Sequence, residues 1–171
     1  MKNATKTSLV TAVTLAAFAI GGGAVFVGSG IYDIGADDHH TELTLAMIEQ
    51  LRERSIKARI RGLEIHTISD PARIAAGAQR YAALCVGCHL APGVAKSDIR
   101  PGLYPHPPSL AQGKMQAEQR AFWIIKHGIK MSAMPAWGKS LDDDAIWDLV
   151  AFVRKLPEMT PETYAQIARV Q

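Results

Sequence analysis

Cysteine occurs twice in this chain, at positions 85 and 88, and a histidine follows the second directly: Cys-Val-Gly-Cys-His. Two thiols and an imidazole at this spacing open four chemistries: a disulfide, half of a zinc site, a redox dithiol, or covalent attachment of a haem. A structural zinc site takes four Cys or His ligands, and this motif supplies two with no second cluster after it. A thioredoxin-like dithiol sits in a βαβ setting, whereas Cys85 ends a helical pattern and no convincing strand pattern occurs anywhere. A plain disulfide gives His89 no role. C-x-x-C-H is the attachment signature of c-type haem. Thiols one helical turn apart can each form a thioether with a haem vinyl group, and the next residue then turns its imidazole toward the iron.

Haem in electron-transfer cytochromes is commonly held by His and Met, so a methionine should follow. The segment GIKMSAMPAWG, residues 128–138, offers two. Met134 precedes Pro135 in a loop between two predicted helices, and Met131 is its rival. His106 and His127 read as surface histidines, and Trp123 and Trp137 as packing in the haem pocket. With His and Met both on the iron, no position is left for substrate, and no acid–base pair or nucleophile constellation is present. The expectation is one-electron transfer by a protein that is not an enzyme. Two alternatives stay open. The chain is a cytochrome subunit of a larger oxidase or dehydrogenase, or a peroxidase or gas-binding protein if Met134 does not coordinate.

These residues need helices to carry them. Ser69-Asp70-Pro71 writes a helix start, a capping residue before a proline at the first helical position, and residues 72–84 then run as helix to Cys85. Residues 117–127 form another, with Gly128 as its C-cap. A last helix begins with caps and negative charge at Ser140 and Asp142–Asp144. Its core-facing stripe is Ile146, Leu149, Val150 and Val153, and Pro157 follows its end. Residues 39–65 also read as helix. One stripe there holds Leu43, Met47, Ile48 and Leu51, and a second, rotated, holds Ile56, Ile60 and Leu63 opposite the basic Arg54, Lys57 and Arg61. A solvated spacer is the first reading of this segment, and a surface lying on anionic lipid or on a partner protein is the second. His39 and His40 are left out of the candidate site.

No charge interrupts residues 7–32, and Leu9 to Ile31 are mostly apolar. About 20 such residues span a bilayer as a helix. Lys2 and Lys6 precede the run and Asp33, Asp37 and Asp38 follow it, which places the basic flank inside. A cleaved signal peptide ending at Ala17-Phe18-Ala19 is the competing reading, but its apolar core would be shorter. The expected fold is all-α: a cytoplasmic N-terminus at 1–6, a transmembrane anchor at 7–32, a periplasmic helical linker at 33–69, the haem domain at 70–157 and a helical tail at 158–171. The expected location is the inner (cytoplasmic) membrane, crossed once, with the haem domain in the periplasm.

In order along the chain, CVGCH, PPSL, MPAWG and IWDLVAFVRKL resemble the class I cytochromes c, and more closely the membrane-anchored monohaem cytochromes of bacteria. The resemblance covers roughly 71–156. It implies one covalently bound haem c, with Cys85 and Cys88 as thioether anchors, His89 as proximal ligand and Met134 as distal ligand. It further implies that the carbonyl of Pro108 accepts a hydrogen bond from the ligand imidazole, with Leu110 against the haem, although PPSL departs from the family's G-P-N-L. Gly77, Tyr81 and Phe152 match the family's crossing of first and last helices.

The net charge is +3 in 171 residues, without the dense basic runs of a nucleic-acid arm. Nucleic acid and small-molecule substrates are therefore not expected partners. Residues 71–156 carry eleven Lys/Arg against six Asp/Glu. Lys96, Lys114, Lys126, Lys130 and Lys139 suggest a basic rim that docks redox partners with acidic surfaces.

Overall fold

The computed structural model describes residues 2–66, 68–113 and 117–168, with backbone alone for 2–4. Two compact units divide the chain, Met1–Asp38 and His39–Gln171.

The first unit is dominated by α1, Lys2–Ser29, uninterrupted through Gly21–Gly23. Its stretch Thr5–Ser29, with an 18-residue window of mean hydropathy 2.1, is long and apolar enough to cross a membrane. The hydroxyls of Thr11 and Thr14 donate to the carbonyls of Thr7 and Val10, at 3.0 and 2.9 Å. Such back-bonding hides polar groups that hydrocarbon would penalise. Gly30, at φ +63°, ends the helix, so Ile31 and Tyr32 lie past it.

The second unit is all helical, and among its described residues only the isolated bridge Ala91–Val94 is extended pairing. Its elements are α2 (Glu42–Arg59), α3 (Pro71–Leu84), the single turn α4 (Val86–His89), α5 (Glu118–His127), α6 (Asp143–Lys155) and α7 (Pro161–Ile167). Asp70 caps α3 by accepting from the Ala72 amide, with Pro71 at the first position.

α2 is shorter than the 39–65 expected. Thr41 caps its start, and the chain leaves it through Gly62 at φ +74°. The absence of proline and glycine admits a helix but does not say where its caps fall. The spacer reading is also corrected. Ile56 is 1% exposed, and both guanidinium NH groups of Arg120 on α5 reach the Glu53 carboxylate at 2.8 Å. Beyond the helix, Leu63 and Ile68 pack against the cluster of Phe122, Ile146, Trp147 and Val150.

That salt bridge yields a small, checkable effect. Hydrogen bonding by Arg120 holds the Glu53 carboxyl below its ordinary range. A depressed carboxylate stabilises above its unfolded pKa, and the contribution is lost as pH falls through the folded value. Glu53 is half exposed, so solvent screening limits the pair to about 0.2–1 kcal/mol. We expect Glu53→Gln to speed hydrogen exchange of α2 amides modestly at neutral pH, and the difference from wild type to vanish in acid.

The scaffold of the unit is the crossing of α3 and α6. At Gly77 the helices meet so closely that a Cβ would lie 2.0 Å from the Asp148 carbonyl oxygen and 2.8 Å from the Phe152 Cβ. Arg73 and Arg80 each donate to Asp148 at 3.0 Å, and Arg73 also to Asp144 at 2.9 Å. Under this clamp Ala78, Tyr81, Leu149, Phe152, Leu156 and Tyr164 form the main core, with the Tyr81 and Phe152 rings 5.2 Å apart. Asp142 caps α6 through the Ala145 amide, 2.8 Å. Ser140 does not: its hydroxyl donates to the Trp137 carbonyl in the turn before. Buried residues on α6 run continuously from Ala145 to Phe152 except Asp148, a wider arc than one stripe. Trp147 is held on that arc between Phe122 and His66, with centroids at 4.4 and 5.1 Å.

Candidate functional site

Cys85 closes α3, its amide donating to the Tyr81 carbonyl. The chain then makes one more turn, with the amides of Cys88 and His89 both donating to the Cys85 carbonyl at 3.1 and 2.9 Å. This turn puts the two thiols on neighbouring levels, unjoined and partly buried. It ends at Leu90, whose φ of +59° is unusual for a branched residue. Such a conformation costs on the order of 1–3 kcal/mol and persists where its surroundings impose it. Here the Leu90 amide donates to the Val86 carbonyl at 2.9 Å, and the Leu90 carbonyl accepts from the buried Tyr81 hydroxyl at 2.6 Å. Burial, with Cys88 nearby, pushes the Cys85 thiol up to about 12.

The imidazole is fixed from one side. His89 Nδ1 lies 2.9 Å from the Pro108 carbonyl oxygen. A carbonyl only accepts, so the proton sits on Nδ1 and the Nε2 lone pair is left for a metal. Burial holds His89 below its ordinary pKa against the pull of that carbonyl, and the Arg100 charge acts with burial. The Leu110 amide donates to the His89 carbonyl at 3.1 Å, which ties the PPSL loop to the motif at both ends of His89. The neighbouring carbonyl, of Pro107, accepts instead from Arg100 at 2.8 Å.

The methionine loop hangs from the end of α5. Gly128 caps that helix at φ +65°, where a Cβ would stand 2.7 Å from the Met134 carbonyl oxygen. The Ile129 amide donates to the Met134 carbonyl at 3.1 Å. Ser132 then braces the loop, its hydroxyl donating to the Ile129 carbonyl at 2.8 Å and accepting from the Met134 amide at 3.2 Å. Met134 is half-buried. Met131 is 74% exposed and sits at φ +56°. His106 and His127 are exposed, the latter beside Trp123 at 4.9 Å. Of the lysines expected around the motifs, Lys96, Lys130 and Lys139 are exposed, Lys126 is paired with Asp143 at 2.6 Å, and Lys114 lies outside the described residues.

The donor set fits a covalent haem. Two unjoined thiols stand a turn apart before an imidazole with one lone pair available. Nearby, the Arg100 Nε is buried without a hydrogen-bond partner, a donor in want of an acceptor such as a haem carboxylate. Among the described residues no cluster of three or more His, Cys, Asp or Glu side chains is placed to hold a bare metal ion. Arg100 and Ser132 were not legible as site residues in the sequence. A lone arginine among prolines and a serine between two methionines carry no periodic signal.

Residues 72–153 match the family described as cytochrome c oxidase, cbb3-type, subunit III. No curated protein and no solved structure matches the chain.

Proposed function

Because residues 72–153 are a class I c-type cytochrome domain, a haem-binding electron-transfer module, we propose that the chain is a membrane-tethered periplasmic electron carrier using one haem c with His/Met ligation. Cys85 and Cys88 are its thioether anchors, and His89 and Met134 its axial ligands. The bound haem supplies a one-electron iron couple. The residues around it tune and protect that couple. The Pro108 carbonyl fixes the His89 tautomer and raises the basicity of Nε2. Leu110 adds an apolar wall. Ser132 and Gly128 hold the Met134 backbone so that its thioether is presented without search.

The observation that carries this reading is the C-x-x-C-H turn whose imidazole is aimed by the Pro108 carbonyl. With both axial sites filled, the reduced protein should show a six-coordinate low-spin spectrum and fail to bind carbon monoxide. Ready carbon monoxide binding would favour a gas-binding protein or peroxidase. A second reading rests on the family that residues 72–153 match: the chain works as a fixed cytochrome subunit of a terminal oxidase. Co-purification with oxidase subunits from native membranes would decide for it.

For docking, the exposed Lys96, Lys130 and Lys139 form the basic rim that meets an acidic partner. Steered association weakens with salt. We expect the second-order electron-transfer rate with the physiological partner to fall as ionic strength rises, and Lys130→Glu/Lys139→Glu to lower it at low salt. A rate flat in ionic strength would remove the rim from the account.

A further inference from the structure

The outward side of α2 is unexplained by electron transfer. Leu43, Met47 and Leu51 recur every fourth residue and are 72%, 65% and 68% exposed, so they form one ridge about 12 Å long at 1.5 Å per residue. At 100° per residue this ridge continues into Arg54, Lys57 and Ala58, which with Arg61 just past the helix line a shallow depression at its C-terminal end. Glu42, Glu49 and Glu53 fall on the flank, where Glu53 is taken by Arg120. The ridge is thus apolar in its first half and cationic in its second, with no acid on it. The side carrying Ile56 is buried against the body, so the ridge is turned away from the core that α2 helps to close.

We propose that this ridge lies on an anionic bilayer surface, with Leu43, Met47 and Leu51 at the headgroup–acyl boundary and Arg54, Lys57 and Arg61 among the lipid phosphates. An apolar strip bordered by Lys and Arg is the chemistry of an interfacial helix. The occupant is named by the chain itself. The membrane-crossing helix ends at Ser29 and α2 is capped at Thr41, so residues 30–40 are the whole tether. Fully extended they reach at most about 40 Å, which keeps the ridge permanently within range of lipid. An acidic protein would satisfy the three cations but would have to compete with a surface already present at high effective concentration. Because Glu53–Arg120 and Ile56 fix α2 to the body, lipid contact along the ridge would hold the haem domain in a set orientation.

The inference rests on the anchor being retained. Release of the protein from membranes by salt or carbonate, without detergent, would show that this premise fails, independently of the following test. Full-length holoprotein is placed in nanodiscs of phosphatidylcholine alone or with phosphatidylglycerol. A cysteine at the ridge (Met47→Cys) and one on the exposed side of α7 (Gln166→Cys) are labelled with a water-soluble maleimide, the native thiols being consumed by haem. We expect Met47→Cys to react at least tenfold more slowly in the anionic discs and Gln166→Cys to react equally in both. Adding Arg54→Glu/Lys57→Glu/Arg61→Glu should restore the fast rate with the haem spectrum unchanged. Equal Met47→Cys rates in the two lipids, untouched by charge reversal, overturn the proposal. Protection seen only in native membranes overturns it in favour of a protein partner.

Discussion

We expect Met134→Ala protein to keep its covalently attached haem but to lose the sulfur-to-iron charge-transfer band of the oxidised state, to bind carbon monoxide when reduced, and to fall in reduction potential. A thioether favours the reduced iron, and axial ligands move haem potentials across roughly 0.8 V. A drop of one to a few tenths of a volt is therefore about the scale to expect. Met131→Leu should leave all three properties nearly unchanged. The asymmetry follows from the loop. Ser132 and Ile129 both bond to the Met134 backbone, which is half-buried, while Met131 stands 74% exposed at a positive φ. Spectroelectrochemical titration of the two variants decides the matter. The reverse pattern would move the ligand to Met131, and no change in either variant would put His106 and His127 next in line.

The second large effect is on stability. Gly77→Ala inserts a methyl group 2.0 Å from the Asp148 carbonyl oxygen. The obstacle is backbone, held in α6 by its own helix and by both Arg73 and Arg80 on the same residue, so neither helix can yield alone. Overpacking in a core costs about 1–3 kcal/mol and sometimes more. Here we expect about 3 kcal/mol or above, a large share of a domain stability of roughly 5–15 kcal/mol. Gly102→Ala, where a Cβ meets nothing within 4 Å, should stay within about 0.5 kcal/mol. Denaturant titration of the two holoproteins gives both numbers, and a Gly77→Ala cost under 1 kcal/mol would mean that the crossing is looser than the structure has it.

Much of this arrangement is readable from residue order. Asp70-Pro71 announces α3 because cap and proline act locally, and Gly128 announces the end of α5 for the same reason. The C-x-x-C-H turn is legible because its chemistry and its helical spacing are one constraint. What sequence could not give is which apolar stripe faces inward. On α2 the Leu43–Met47–Leu51 stripe and Ile56 carry the same hydrophobic signal, yet only Ile56 is buried. The choice is made by α5, through Arg120, from 67 residues away. Trp147 is a like case. It lies off the i, i+3, i+4 stripe, and it is core because Phe122 and His66 arrive on both of its faces. Tertiary partners, not periodicity, decide such positions.

The α3–α6 crossing also imposes an order in time. A chain made N-terminus first brings out Cys85 and Cys88 well before Asp143–Lys155 exists to lock α3 in place. Pairings so distant in sequence form slowly, since loop closure must precede any reward. In the open chain an ordinary cysteine ionises near 8.5, and the thiolate is the reactive form. Once the domain closes, burial pushes Cys85 up to about 12, which leaves far less thiolate at a given pH. The interval before the last helix docks therefore favours making the thioethers. Folding then seals a finished bond, and the same closure that protects the haem would quench a cysteine that had missed its partner.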